Sequence, residues 1–99
     1  MNENKILSLA KQISLNTVVV DGDFNCQIGD NEINGNPNNI VLEIVYESNS
    51  GLRKLIEITE QGLSDALVLG NNINIIDADG ENAVLELYKT VPVNVTANW

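Results

Sequence analysis

The chain of 99 residues contains no histidine, a single cysteine and only five basic residues. The absence of histidine excludes Ser-His-Asp and Cys-His catalysis and most zinc sites. Because Cys26 has no second cysteine to pair with, no disulfide forms within the chain, and nothing indicates an oxidising compartment. General acid-base catalysis by carboxylates needs a cleft that sets two of them apart, whereas the acid pairs Asp21 with Asp23 and Asp77 with Asp79 lie in predicted turns exposed to water. We therefore expect a protein that is not an enzyme and that needs no cofactor or metal.

Basic residues are few, whereas fourteen acidic residues give the chain a net charge of −9. A chain of this charge repels phosphate backbones and attracts basic surfaces, with an attraction that salt weakens. Direct nucleic-acid binding is therefore not expected. We expect a basic protein as the partner, although the same negative charge also serves ordinary solubility.

Long apolar runs are also missing. The start of the chain, MNENKILSLAKQIS, carries charged residues on both sides of a short apolar stretch. That stretch falls far short of a signal-peptide core or of a membrane-spanning helix. We expect a cytoplasmic protein with no membrane contact.

The first part of the chain predicts a helix, a strand and a long loop. Asn4 is a suitable helix cap, and apolar residues follow at helical spacing, namely Ile6, Leu9, Ala10 and Ile13. The pattern predicts a helix over about residues 4–14. Residues 17–20 are β-branched and predict a strand, whereas the Gly- and Asn-rich residues 21–39 predict an irregular loop. A long loop in a small domain is typically functional.

The rest of the chain predicts two hairpins around a second helix. Residues 40–47 alternate in polarity and form a hairpin with residues 52–59 across the turn sequence SNSG. Helical spacing follows in TEQGLSDALVLG, residues 59–70, and a second hairpin in residues 72–91 turns at ADGE. The final VNVTANW suits an edge strand or a tail along the sheet.

This order of elements predicts one domain over residues 1–99. With aromatic residues at only 4% of the chain, Ile, Val and Leu must fill its core, and they favour β structure. Short hairpin connections make neighbouring strands antiparallel, and amphipathic helices cover a sheet face. The predicted fold is α+β, a mainly antiparallel sheet of about five strands with two short helices packed on one face.

The stretch VVVDGDFNCQIGDNE has part of the spacing of an EF-hand calcium loop. Taking Asp21 as the first position, oxygen-bearing side chains fall at further ligand positions at Asp23, Asn25 and Glu32. However, Cys26 stands where the loop needs glycine, and INGNPNN after the loop cannot form the exiting helix. Calcium binding is therefore the weaker interpretation of this stretch.

The acids also predict a binding surface. Alternate residues of a strand project from one face about 6.6 Å apart, a spacing of the same order as that of phosphates in a nucleic-acid backbone. If the first strand continues past Val20, its acids form such a row. Phe24 lies beside these acids, and its side chain either anchors a partner protein or packs into the core of this protein. Acids of the later strands would extend the surface unless they form an ordinary solvated face. The predicted partner-binding residues are Asp21, Asp23, Phe24, Glu43, Glu47, Glu57 and Glu86.

Three segments, GNPNNIVLEIVYES, LIEIT and NIIDADGENAVLEL, resemble the small acidic bacteriophage inhibitors of uracil-DNA glycosylase, which are protein mimics of DNA. The likeness covers roughly residues 17–88 and includes the order of a helix followed by an acidic antiparallel sheet. That family engages its enzyme through a Glu-Ser-hydrophobic segment and an apolar pocket. Here the resemblance implies that Asp21 stands for the glutamate, while Gly22 replaces the serine and leaves the identity of the inhibited enzyme open.

We therefore expect a small acidic inhibitor, encoded by a phage and acting in the host cytoplasm. It would bind and block a basic nucleic-acid-handling enzyme or defence protein by DNA mimicry, as a monomer or small homo-oligomer. The alternative is a structural or adaptor domain of a virion or larger assembly that oligomerises through edge strands.

Overall fold

The computed structural model describes residues 2–88, which form two helices and seven strands. In chain order these are α1 (Glu3–Leu15), β1 (Thr17–Val19), β2 (Gln27–Asp30), β3 (Ile40–Glu47), β4 (Arg53–Thr59), α2 (Glu60–Ser64), β5 (Leu67–Leu69), β6 (Asn72–Ile76) and β7 (Asn82–Tyr88). The strands form two antiparallel sheets, ordered β1-β7-β6-β5 and β2-β3-β4. The α+β fold with antiparallel pairing is confirmed, although the strands are divided between two sheets rather than gathered in one. The predicted tail strand VNVTANW and the end of the second hairpin lie outside the described residues.

Helix α1 begins slightly earlier than its apolar pattern predicts. Asn2 is its cap, because the Asn2 side chain accepts a hydrogen bond from the Lys5 amide at 3.2 Å, and Asn4 lies within the first turn instead. The predicted apolar stripe is buried and consists of Ile6, Leu9, Ala10 and Ile13. Neither α1 nor α2 is long and apolar enough to cross a membrane.

Both predicted hairpins are present. In the first, Ile44 of β3 pairs with Ile56 of β4, and both side chains are buried. In the second, Ile73 of β6 pairs with Leu85 of β7, again with both side chains buried. A register shift near the start of β3 interrupts the strict alternation, so that Val41 is buried next to an equally buried neighbour.

Two strands lie where the sequence predicts other structure. β2 falls inside the predicted loop 21–39 and pairs with β3. The predicted second helix is limited to α2, and Leu67–Leu69 pairs with β6 as β5. In both places pairing with a neighbouring strand overrides the local pattern, because strand stability depends on the cross-strand partner more than on intrinsic preference.

The two sheets and the two helices share one core cluster, and within residues 2–88 a single charged residue is buried beside it. Glu60 at the start of α2 is 1% exposed. Its carboxylate accepts hydrogen bonds from the amides of Asn34 and Gly35, at 2.9 and 3.0 Å, and from the Asn39 side chain at 2.8 Å. Burial raises the pKa of Glu60, but the three hydrogen bonds together bring it below its ordinary value. Glu60 therefore fastens the chain before β3 to the start of α2.

Helix α2 packs unusually closely on β6. A Cβ atom at Gly62 would lie 2.8 Å from the Ile76 carbonyl oxygen, which is closer than real Cβ atoms approach backbone. Glycine weakens an isolated helix, yet only glycine permits this contact. Gly62 therefore lowers the helix propensity of this segment but allows α2 to pack closely on β6.

We expect Gly62→Ala to lower the free energy of unfolding by about 1–3 kcal/mol, because the added methyl group must displace backbone. In a helix free of such a contact the same change would stabilise by about 0.5–1 kcal/mol. Gly29→Ala is the matched control, since nothing lies within 4 Å of an added Cβ there. Urea unfolding of both variants measures the difference, and an unchanged or raised stability in Gly62→Ala would contradict the packing.

Candidate partner-binding surface

The stretch with partial calcium-loop spacing folds as a tight turn. The Val20 amide donates to the Asp23 carbonyl at 3.3 Å, and the Asp23 amide donates back at 2.9 Å. The two residues between them, Asp21 and Gly22, have φ angles of +50° and +81°. Positive φ at both central positions is the geometry that Asp-Gly favours in two-residue turns. The chain thus reverses after Val20, and the predicted row of acids along a continuing first strand is wrong.

The Asp23 carboxylate fastens this turn to the first hairpin. One of its oxygens accepts the Asn25 amide and the other the Glu47 amide, each at 2.8 Å. These two bonds, that to Glu47 first, hold the pKa of Asp23 below its ordinary value of 3.8. Asp23 is therefore a half-buried acid with a structural role as well as a charge.

The same geometry differs from that of an EF-hand calcium loop. Both oxygens of Asp23 are occupied by backbone amides, and residues that should curve around an ion are extended in β2. Within residues 2–88 no group of three or more acids and cysteines is placed to hold a metal ion. The spacing of acids in this stretch thus comes from a turn followed by a strand.

The β6–β7 loop brings three further acids to this end of the molecule. The Asp77 carboxylate accepts the amides of Asp79 and Glu81, both at 2.9 Å. The next amide, that of Ala78, donates to the Glu57 carbonyl at 2.8 Å and ties the loop to β4. Asp77, Asp79 and Glu81 consequently line a groove of about 270 Å³ that Asp21 also lines. The sequence predicted a turn in this segment but not a part of the binding surface. The acids of the turn were the signal that could have indicated it.

Tyr46 stands between these acids and a second group. It lines the groove of Asp21 and also a neighbouring groove of about 380 Å³ that contains Asp23, Glu47 and Arg53. Burial raises the pKa of Tyr46, and the charges of Asp21, Cys26, Glu81 and Asp77 raise it further, in that order. We call the acids around Tyr46 the acidic surface; its members are Asp21, Asp23, Glu47, Asp77, Asp79 and Glu81.

Glu43 and Glu57 continue the charge along the outer face of the three-stranded sheet. They lie directly opposite each other on β3 and β4, with the half-buried Val45 and the exposed Leu55 as the next pair along. Two like charges in this position disfavour the strand pairing. The Asn31 side chain donates to Glu43 at 3.2 Å and offsets part of that repulsion. Glu47 follows on the same face, opposite Arg53.

Phe24 and Glu86 belong to a different part of the surface. The Phe24 side chain is 63% exposed, and its ring centre lies 6.1 Å from that of Tyr88. The Tyr88 hydroxyl donates to Glu86 at 2.8 Å on the outer face of the four-stranded sheet. Phe24 therefore does not plug the core, and Glu86 lines neither groove around Tyr46.

An apolar groove of about 520 Å³ runs beside α1. Leu7 and Leu15 line it from the helix and are 60% and 68% exposed. Ile33 and Val41 line it from the loop after β2 and from β3, with Asp30 and Glu32 among its polar residues. The sequence pattern predicted only the buried face of α1 and gave no indication of this groove.

We expect Asp23→Asn to lower the melting temperature at neutral pH, because an amide has one oxygen where the carboxylate accepts two backbone bonds. The pKa of Asp23 is depressed in the folded protein, so its contribution is complete above the ordinary value of 3.8. It disappears as the pH falls through the lower folded value. The difference between wild type and variant should thus vanish in strong acid, and calorimetry across pH measures it. Asp79→Asn is the control, and a difference independent of pH would contradict this role.

No protein-family model, curated protein sequence or solved structure matches this chain. The resemblance to phage inhibitors of uracil-DNA glycosylase accordingly stays a prediction from the sequence. What bears on function is the chemistry of the surface itself, in which three acids predicted to bind the partner, Asp21, Asp23 and Glu47, converge with three that were not assigned to that surface, Asp77, Asp79 and Glu81.

Proposed function

We propose that this protein binds and blocks a basic nucleic-acid-handling protein by occupying the groove in which the partner holds DNA or RNA. The observation that carries the proposal is the convergence of carboxylates around Tyr46 from three chain segments, namely the β1–β2 turn, the end of β3 and the β6–β7 loop. Each segment alone is an ordinary polar turn or strand end. Together they place six carboxylates around Tyr46, with Lys54 and Arg53 also lining the two grooves, on a chain of net charge −9.

The spacing of the acids also supports mimicry. Glu43 and Glu47 point to the same face of β3 and lie about 13 Å apart, which is two steps of the strand repeat. Regularly spaced negative charges on a firm backbone are what a DNA-binding groove recognises, since most of its contacts go to phosphates. The half-buried Val45 and the exposed Leu55 between the charged positions add apolar contact area.

Local hydrogen bonds hold two carboxylates of the acidic surface in place before any partner arrives. Backbone amides fix the carboxylates of Asp23 and Asp77. Ordering side chains on binding costs affinity, so acids that are already positioned bind more tightly than mobile ones. This arrangement favours a binding surface over a face that merely keeps the protein in solution.

A partner of this kind fits a phage-encoded inhibitor acting on a host enzyme or defence protein in the host cytoplasm. The resemblance to inhibitors of uracil-DNA glycosylase points the same way and names one enzyme to test first. As in that family, a protruding apolar side chain of the partner would need an apolar receptor. The groove beside α1 offers Leu7, Leu15 and Ile33 for that purpose.

We expect the acidic surface to be required for capture of basic proteins from a bacterial lysate enriched on heparin. Neutralising four of its acids should weaken binding of the captured protein at least about fourfold, because four exposed charge contacts each contribute about 0.2–1 kcal/mol. Asp23 and Asp77 are left intact because of their structural bonds. The variant carries Asp21→Asn, Glu47→Gln, Asp79→Asn and Glu81→Gln.

A second variant with the same net charge supplies the control. It reverses two acids that line neither the acidic surface nor the groove beside α1, namely Glu3→Lys and Asp65→Lys, which changes the net charge by the same amount. Titration calorimetry with the captured protein, identified by mass spectrometry, compares the two variants. Mimicry predicts a large loss in the first variant only, whereas equal binding by both variants would mean that net charge alone attracts the partner.

A second candidate function is assembly through an edge strand, and β5 favours it. Leu67 and Leu69 are each 56% exposed and Val68 is 46% exposed, and within residues 2–88 β5 pairs only with β6. An open apolar edge without lysine or proline is a template for another strand. Residues 66–76 carry no charge, so the net negative charge opposes contact there least. Two copies related by a two-fold axis at Val68 would pair apolar residues throughout.

Under this second proposal, wild-type protein should form dimers whose fraction rises with concentration in light scattering. Leu69→Lys should make the protein monomeric without changing its melting temperature, because that side chain is already exposed. A wild-type protein that is monomeric at every concentration would eliminate assembly through β5.

A further inference from the structure

Asn34 and Gly35 form the only Asn-Gly pair in the sequence. In such a pair the backbone nitrogen of glycine can attack the Cγ atom of the asparagine side chain, since glycine has no side chain to hinder the approach. Both residues are exposed to water. Sequence alone would therefore mark this bond as a site of spontaneous deamidation.

The structure restrains both reacting groups. The Gly35 amide donates to one oxygen of Glu60 at 3.0 Å, and the Asn34 amide donates to the other at 2.9 Å. The Asn34 side-chain oxygen in turn accepts the Asn36 amide at 2.9 Å, which fixes the side chain. Attack requires that the Gly35 nitrogen lose its proton, and an N–H bond that is donated to a carboxylate resists that loss.

We propose that Asn34-Gly35 is a latent modification site, and that the buried Glu60 carboxylate suppresses its deamidation in the folded protein. When these hydrogen bonds open, the Gly35 nitrogen forms a bond to Cγ of Asn34. The bond from Cγ to the amide nitrogen breaks, and ammonia leaves with the proton that Gly35 gives up. Water then opens the cyclic imide at either carbonyl and yields aspartate or isoaspartate.

The two products differ in how far they can restore the original contacts. Aspartate keeps both backbone amides but adds an exposed negative charge close to the buried Glu60 carboxylate, which disfavours the ionised form of Glu60. Isoaspartate adds a methylene to the main chain between the two amides that bind the carboxylate, so both can no longer reach it. One opening event is thereby converted into a lasting loss of the contact between the 31–39 loop and α2.

The test compares rates of deamidation at mildly alkaline pH by intact mass and peptide mapping. In native buffer, Glu60→Gln should deamidate at Asn34 at least about tenfold faster than wild type, because hydrogen bonds to a charged group are the stronger ones. Wild type unfolded in urea should be accelerated similarly. Asn34→Ala should abolish the reaction in both backgrounds and so confirm the position.

Two further measurements separate protection by Glu60 from general unfolding. Leu85→Ala removes a buried side chain from the other sheet and should leave the native rate near that of wild type. Asn39→Ala removes one donor to Glu60 and should give an intermediate rate, which keeps the test decisive if Glu60→Gln does not fold. Equal rates in folded and unfolded wild type, modification at another residue, or equal acceleration by Leu85→Ala would each overturn the proposal.

Discussion

A buried carboxylate must be hydrogen-bonded or it destabilises the fold, and this requirement at Glu60 organises the middle of the chain. The donors that satisfy it come from the loop before β3, so the loop must return to α2 at one position. Two backbone bonds reinforce that return, from Glu60 to Asn39 and from Gln61 to Pro37. The place where β3 begins, and hence where its acids lie, follows from this one constraint.

The acidic surface depends on turns rather than on a row of strand residues. The turn at Asp21-Gly22 and the β6–β7 loop come from opposite ends of the described chain. A hydrogen bond at Glu47 ties the first of them to the first hairpin, and a hydrogen bond at Glu57 ties the second. Carboxylates that hold these turns together also supply the charge. Structure and proposed function therefore use the same residues, which limits the acids that can be changed without disturbing the fold.

The sequence predicted elements whose pattern is local. The α1 stripe and both hairpins were correct because burial of Ile6, Ile44 or Leu85 shows directly in the spacing of apolar residues. β2 was missed because QIGD has little strand preference and forms by pairing with β3. β5 was missed because the spacing of Leu63 and Ala66 is helical while the residues after them pair with β6. Three of the six acids of the acidic surface were predicted to bind the partner. The other three were missed because the convergence of distant turns is a property of tertiary structure alone.

The central claim is that the protein occupies the site at which its partner binds nucleic acid. The most direct measurement is a competition experiment, in which purified partner bound to labelled duplex DNA or RNA is titrated with this protein. Mimicry predicts complete displacement of the nucleic acid, with an apparent dissociation constant for this protein that rises linearly with the nucleic-acid concentration used. A stable complex that contains the partner, the nucleic acid and this protein together would contradict it.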